Sequence, residues 1–277
     1  LINLLSSGLA NNLDFETPFF GFIYRGNTQN LIDRKVLFSG CHECDVLAFI
    51  RDFLGAREGS VCVDIGANIG HHALFMSRYA HKIFAFEPYK PVRELMLARL
   101  AENNVSNVLV QSFALGERNE QKPFFSPPES NLGTGSFVEE FSDANQTSGM
   151  LEVRRMDDLV DNLDADRIDF IKLDVEGFEK QTLVGAAETL ARFRPVVLFE
   201  SSIRIEHSLH SLDEIQSMFP PDYRFYRFSH QGKRRHGKYL IVDLNQQLME
   251  SRDELTILAV PAEITVPMAA TSRIAPG

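Results

Sequence analysis

The chain has 277 residues, 44% of them apolar and 24% charged, with a formal net charge of −10 and a pI near 5.3. That balance describes a globular chain able to bury a large core, and its acidic excess speaks against a nucleic-acid partner, because phosphate backbones are held mainly by clustered Lys and Arg. No apolar run is long enough to cross a bilayer, the opening Leu1-Ile2-Asn3-Leu4-Leu5 lacks the basic flank of a secretory signal, and three cysteines are too few for a disulfide framework. The expectation is therefore a cytosolic protein without a membrane partner.

Residues 1–58 read as an N-terminal cap with strand-like pieces near Phe20 to Tyr24 and Val36 to Phe38. Cys41-His42-Glu43-Cys44 has the form of a metal or redox motif, but no second pair follows at zinc spacing, so the two thiols are read as incidental to the start of a helix. That helix runs from Asp45, as N-cap, to a stop at Gly55, with Val46, Phe49, Ile50, Phe53 and Leu54 on its buried side.

The domain proper spans residues 59–262 and starts on Val61-Cys62-Val63-Asp64-Ile65, a buried strand that runs into Gly66-Ala67-Asn68-Ile69-Gly70 and a helix. Glycines in such a loop let backbone approach a ligand, and the helix that follows points free N–H groups at the same place. The spacing is not the G-x-G-x-x-G of a dinucleotide fold. Asp64 at the strand tip would repel a pyrophosphate and attract an ammonium, which disfavours a nicotinamide dehydrogenase.

A second strand, Lys82 to Phe86, ends in Glu87-Pro88, and Glu87 lies about 20 residues past the glycines, where doubly wound folds present an acid to ribose hydroxyls. Pro91 opens a helix that ends at Asn103-Asn104, a third strand covers Val108 to Ser112, and Phe113-Ala114-Leu115-Gly116 sits at the carboxyl edge of the sheet. Residues 117–150, rich in Pro, Gly and Ser, read as an inserted loop with little regular structure that lids the acceptor pocket, most mobile around Asn131 to Ser136.

Met150 to Arg155 alternates as a strand and Met156 to Leu163 as a short helix. Ile168 to Gly177 is then a core strand whose Lys172, Asp174 and Glu176 fall on one side. Charges there are costly unless paired or used. A helix from Thr182 to Phe193 leads to a fifth strand, Pro195 to Ser201, tipped by Glu200. Ser211-Leu212-Asp213-Glu214 is a capping box. Tyr223 to Phe228 and Tyr239 to Val242 close the sheet as an antiparallel hairpin, with Lys233-Arg234-Arg235-His236 as its solvated tip and residues 263–277 as a loose tail.

This order predicts an α/β, doubly wound, seven-stranded sheet that resembles the class I S-adenosylmethionine-dependent methyltransferase fold. Within it, Val63 to Gly70, Phe86-Glu87-Pro88 and Ile168 to Glu179 resemble the FkbM family. The resemblance implies methyl transfer from S-adenosyl-L-methionine to a hydroxyl of a sugar, a glycoside or a polyketide or macrolide natural product, leaving S-adenosyl-L-homocysteine. It also implies that Asp64, Gly66, Ala67, Asn68 and Gly70 hold the methionine part, Glu87 the ribose, and Pro88, Ser112, Phe113 and Ala114 the adenine, with Asp174 beside the sulfonium. Asp174, Glu176 and Glu200 are the candidate catalytic acids, ahead of His72, which is more often a helix-face residue than a base. No metal ligand is assigned. A magnesium ion shared by Asp174 and Glu200 is a less favoured variant, and a non-catalytic binding module is disfavoured by the intact acids.

Overall fold

The computed structural model describes residues 12–127, 135–139, 147–202, 209–229, 238–250 and 254–270. The opening residues 1–11, the Asn131 to Thr134 part of the insert, the Lys233 to His236 tip and the tail from residue 271 lie outside the described residues.

An eight-stranded sheet organises the chain, one strand more than the sequence suggests. Its parallel part holds β5 (Val108–Gln111), β4 (Lys82–Phe86), β3 (Val61–Ile65), β9 (Phe170–Leu173) and β10 (Val196–Ser202) side by side. Antiparallel β13 (Glu254–Pro261) then lies between β10 and β11 (Tyr223–Phe228), and β12 (Ile241–Asp243) forms the far edge. The missed strand is β13, whose Leu255-Thr256-Ile257-Leu258-Ala259-Val260 inserts into the sheet after the hairpin, so β11 and β12 do not by themselves close it.

The central strands β3, β4, β9 and the first part of β10 are buried on both faces, which is why they read as near-continuous apolar runs. Alternate side chains divide between two cores. Cys62, Ile83, Ala85, Phe170, Val196 and Leu198 face α2 (Cys44–Leu54), α3 (His71–Met76) and α4 (Lys90–Glu102). Val63, Ile65, Phe84, Phe86, Ile171, Leu173 and Phe199 face α5 (Glu179–Val184), α6 (Ala187–Phe193) and α7 (Leu212–Ser217) on the other side. The single helix expected over Thr182 to Phe193 is broken in two at Gly185-Ala186, and Met156 to Leu163 contains only a 3-10 turn, Val160–Asn162.

The N-terminal region shares the first core. β1 (Asp14–Phe19) and β2 (Phe22–Asn27) form an antiparallel hairpin, and α1 (Leu31–Ser39) takes up the Val36 to Phe38 segment expected as strand. Asn30 caps α1 by accepting from the Ile32 and Asp33 N–H groups. Arg99 of α4 fastens this region to the glycine loop, stacking 4.0 Å from the Tyr24 ring while donating to the Arg25 carbonyl and, at 2.5 Å, to the Ile69 carbonyl. Helix α2 starts at Cys44 rather than Asp45, and its N-cap position is Glu43, without a capping side chain. Cys41 and Cys44 are joined by a disulfide, which corrects the reading of them as incidental thiols. A four-residue spacing across a helix start brings two Cα atoms to 5.4 Å, within bridging reach.

The insert also carries more regular structure than its composition suggests. β7 (Glu120–Phe125) and β8 (Thr147–Arg154) pair antiparallel, and β6 (Ala114–Leu115) joins β8 to make a three-stranded sheet in the order β6-β8-β7. Pro123 is tolerated because β7 is an edge strand. Among the described residues no helix is long and apolar enough to cross a membrane.

Candidate functional site

The site lies at the carboxyl ends of β3, β4, β9 and β10, the edge at which open α/β sheets bind ligands. Strand alternation puts Asp64 and Lys172 on the same face as Cys62 and Phe170, the face covered by α2, α3 and the N-terminal hairpin. Asp64 is fully buried, and neither carboxylate oxygen has a hydrogen-bond partner. Burial raises its pKa, and Lys172, His72 and the Ala73 N–H offset that only in part. A buried acid without donors is costly. It fits a ligand that brings an ammonium of its own.

After Asp64 the loop turns through left-handed backbone at three positions. Gly66 and Gly70 take φ of +75° and +78°, and Asn68 takes +53°. A Cβ on Gly66 would stand 1.9 Å from the Asp174 carbonyl oxygen, so the loop and the end of β9 approach too closely for a side chain at this position. The Gly66 and Ala67 N–H groups both donate to the Phe86 carbonyl at 3.0 Å, which ties the loop to β4.

Glu87 at the end of β4 is buried and accepts from the Asn68 N–H at 3.0 Å and the Tyr89 N–H at 2.8 Å. Burial outweighs those donors and raises its pKa to about 7. A carboxyl with two acceptor oxygens, one turned to the loop at Asn68 and the other to Tyr89, suits a vicinal diol such as a ribose. Pro88 is half-buried beside it, while Ser112 is exposed and Ala114 buried. Phe113 packs in the second core, 5.6 Å from Phe86, with the Arg154 guanidinium 4.2 Å over its ring.

At the tip of β9, Lys172 is 3% exposed and donates to Asp174 at 2.9 Å. Asp64, Asp174 and Glu43 together raise its pKa despite burial, so it stays an ammonium. The strand ends at Leu173, and Glu176 takes φ +51°, so the alternation expected to align Glu176 with Lys172 and Asp174 stops before it. Glu179, quoted in the sequence only as part of a motif, is the acid that shapes this turn. It is buried, accepts from the Val175 N–H at 3.0 Å and the Gly177 N–H at 3.3 Å, and is raised by burial to about 7. Glu200 follows Phe199, which pairs with Leu173, so it stands beside Asp174 where β9 ends, within β10 and paired to Thr256 of β13.

The described part of the insert folds over this turn. Ser136 donates to the Glu176 carbonyl at 2.7 Å, Phe137 packs 5.3 Å from Phe178 and 5.1 Å from Phe124, and Phe124 reaches Tyr89 at 5.3 Å. The described insert residues thus reach from Tyr89, after β4, to Glu176 and Phe178, after β9.

A family profile described as the methyltransferase FkbM domain matches residues 64–235, from the acid of the glycine loop to the far side of the sheet. The chain belongs to the FkbM methyltransferase family. It is 28% identical over 148 residues to the hexuronic acid methyltransferase AglP of Haloferax volcanii, covering 52% of this chain and 56% of that one. It is 25% identical over 188 residues to the AMB antimetabolite synthetase AmbE of Pseudomonas aeruginosa, covering 54% of this chain. The chain therefore spans about half the length of one curated relative and 9% of the other. Among solved structures, an FkbM methyltransferase from Methylobacillus flagellatus KT aligns at TM-score 0.46 and 19% identity, over 73% of this chain and 43% of that one. The O-methyltransferase TomG from Streptomyces achromogenes, solved with SAM, aligns at 0.42 and 13% identity over 79% of each chain.

In this member of the FkbM family the fold gathers Asp64, the glycine loop, Glu87, Asp174 and Glu200 at one sheet edge. The sequence did not foresee that the Cys41–Cys44 turn joins them. His72 Nε2 lies 3.2 Å from Glu43 Oε2, at ion-pair distance but without the angular geometry of a hydrogen bond. The His42 ring stands 5.9 Å from His71 and 6.5 Å from His72. Among the described residues, no group of three or more His, Cys, Asp or Glu side chains is arranged to hold a metal ion.

Proposed function

We propose that this methyltransferase uses S-adenosyl-L-methionine to methylate a hydroxyl of a small-molecule acceptor, a sugar or glycoside or a polyketide or macrolide natural product. The observation that carries the donor reading is the buried, partnerless Asp64 carboxylate beneath a loop whose Gly66 has no room for a side chain. A sugar-type acceptor is supported by the likeness to a protein named as a hexuronic acid methyltransferase.

In this reading Asp64 meets the donor ammonium, and the Gly66, Ala67, Asn68 and Gly70 backbone encloses the methionine chain. Glu87 accepts from the ribose hydroxyls, and Pro88, Ser112 and Ala114 border the adenine. When bound, the donor supplies an activated methyl group on a sulfonium. The protein's work is then alignment of the acceptor oxygen with that methyl, and removal of the hydroxyl proton as the new C–O bond forms and the C–S bond breaks. Lys172 donates to Asp174 and fixes the carboxylate that would stand beside the sulfonium. In this reading Glu200, beside Asp174 across β9 and β10, takes the proton, and Glu176, whose carbonyl accepts from Ser136 of the insert, is the other candidate acid.

The test is transfer of isotope-labelled methyl from S-adenosylmethionine to a panel of uronic acids, glycosides and macrolides, with wild type and Glu200→Gln. Label in an ether-linked methyl, lost in the variant while the donor still binds, is the expected result. Label appearing only on nitrogen or carbon would reject O-methylation.

A further inference from the structure

A third acid reaches the helix that follows the glycine loop, at His72, from a segment outside that loop and the strand tips. Cys41 and Cys44 close a four-residue turn around His42 and Glu43. Glu43 adopts left-handed backbone, φ 49° and ψ 51°, which is uncommon for a residue with a Cβ and persists only where the surroundings impose it. The bridge and the Leu47 N–H, which donates to the Glu43 carbonyl at 3.0 Å, impose it here. The turn carries the carboxylate to within 3.2 Å of His72 Nε2, a 9% exposed side chain at the start of α3 whose Nε2 has no hydrogen-bond partner.

Burial pushes the Glu43 carboxyl up, yet His72, His42 and Lys172 together hold it well below the usual range, so it is an anion. The charges around the cleft then fall into a pattern. Lys172 is neutralised by Asp174. Asp64, buried and partnerless, is matched by the donor's ammonium. Glu43 remains, facing a histidine that carries charge only when protonated.

Building on the donor reading above, we propose that Glu43, clamped by the Cys41–Cys44 bridge, is a charge-selecting residue that favours the sulfonium donor over its neutral thioether product. The two ligands share their amino-acid, ribose and adenine parts and differ by one methyl and one positive charge at sulfur. A fixed anion in a partly dehydrated cleft acts on that difference, whereas contacts to the shared parts do not. The gain for turnover is weaker product retention at a given affinity for the donor.

Calorimetric titration of the full chain with S-adenosylmethionine, and separately with S-adenosylhomocysteine, reads the ratio of the two dissociation constants. In Glu43→Gln that ratio moves toward the product by roughly three- to tenfold, the scale of one partly screened charge several ångströms away. Glu43→Asp, which keeps the charge, retains most of the preference. A residue that only shapes the pocket would weaken both ligands alike, so an unchanged ratio in Glu43→Gln overturns the proposal. Cys41→Ser/Cys44→Ser keeps every charge but frees the turn, and it moves the ratio the same way. It decides the matter where the Gln variant does not fold. If the wild-type chain binds neither ligand, the donor reading itself falls, an outcome distinct from two bound ligands whose ratio does not respond.

Discussion

Replacing Glu179 by Gln should change how stability depends on pH. The side chain is 4% exposed, and one of its oxygens accepts from two backbone N–H groups in the turn that follows Asp174. Burial, only partly offset by those donors, raises its pKa from 4.5 to about 7. Between those values the folded protein keeps a proton that the unfolded chain has released, so this residue makes the wild type less stable as pH rises through the window. The gap multiplied by about 1.4 kcal/mol per pH unit gives about 3 kcal/mol at full ionisation. Gln keeps an oxygen for the same two donors and has no proton to lose. Urea unfolding of both proteins at pH 4.5 and pH 8 therefore shows Gln gaining about 3 kcal/mol on the wild type over that span, while the other titrating groups cancel in the difference. A difference that stays constant with pH would show that Glu179 is not held protonated by its surroundings, and the account of this turn would fail.

Gly66→Ala places a methyl against the Asp174 carbonyl at φ +75°, and should lower stability by about 2 kcal/mol or more and abolish donor binding, measurable by thermal melts and calorimetry. Asp174→Asn leaves Lys172 without its hydrogen-bonded anion. It should stay folded with a reduced melting temperature and lose transfer at least 100-fold, on the order expected for a positioned charge, and near-normal turnover would remove Asp174 from the chemistry. Phe137→Ala loosens the lid where it packs on Phe178 and Phe124. It should raise the acceptor KM several-fold, on the order of a lost aromatic contact, with little change in donor affinity, and equal loss for both ligands would argue against a lid over the acceptor. Exhaustive chelation should leave transfer intact, because Asp174 is committed to Lys172; lost activity restored by magnesium would bring back a shared metal between Asp174 and Glu200.

The parallel core and its acid tips were legible in the sequence for a plain reason. Strands buried on both faces must be apolar along their length, so an Asp or Glu ending such a run, as at Asp64, Glu87 and Glu200, stands out at the ligand edge. β13 is equally apolar but follows the hairpin in sequence and enters the sheet between strands already paired, an order that no local pattern reports. β7 was hidden by Pro123 and by polar composition, which an edge strand tolerates, whereas the alternation over Met150 to Arg155 reported most of β8. The alternation read through to Glu176 failed because the chain turns left-handed at that residue. Glu43 and His42 were placed at the site by the packing of α2 on α3, and their own neighbourhood showed only a Cys-x-x-Cys spacing.

The claim beneath all of this is that Asp64 and the glycine loop accept a cationic sulphur nucleoside. Calorimetry of the purified chain with S-adenosylhomocysteine and with NADH, in wild type and Asp64→Asn, tests it most directly. Saturable heat with the thioether nucleoside, lost in the variant, and none with the dinucleotide is the predicted result; binding of NADH with no heat from S-adenosylhomocysteine would contradict it.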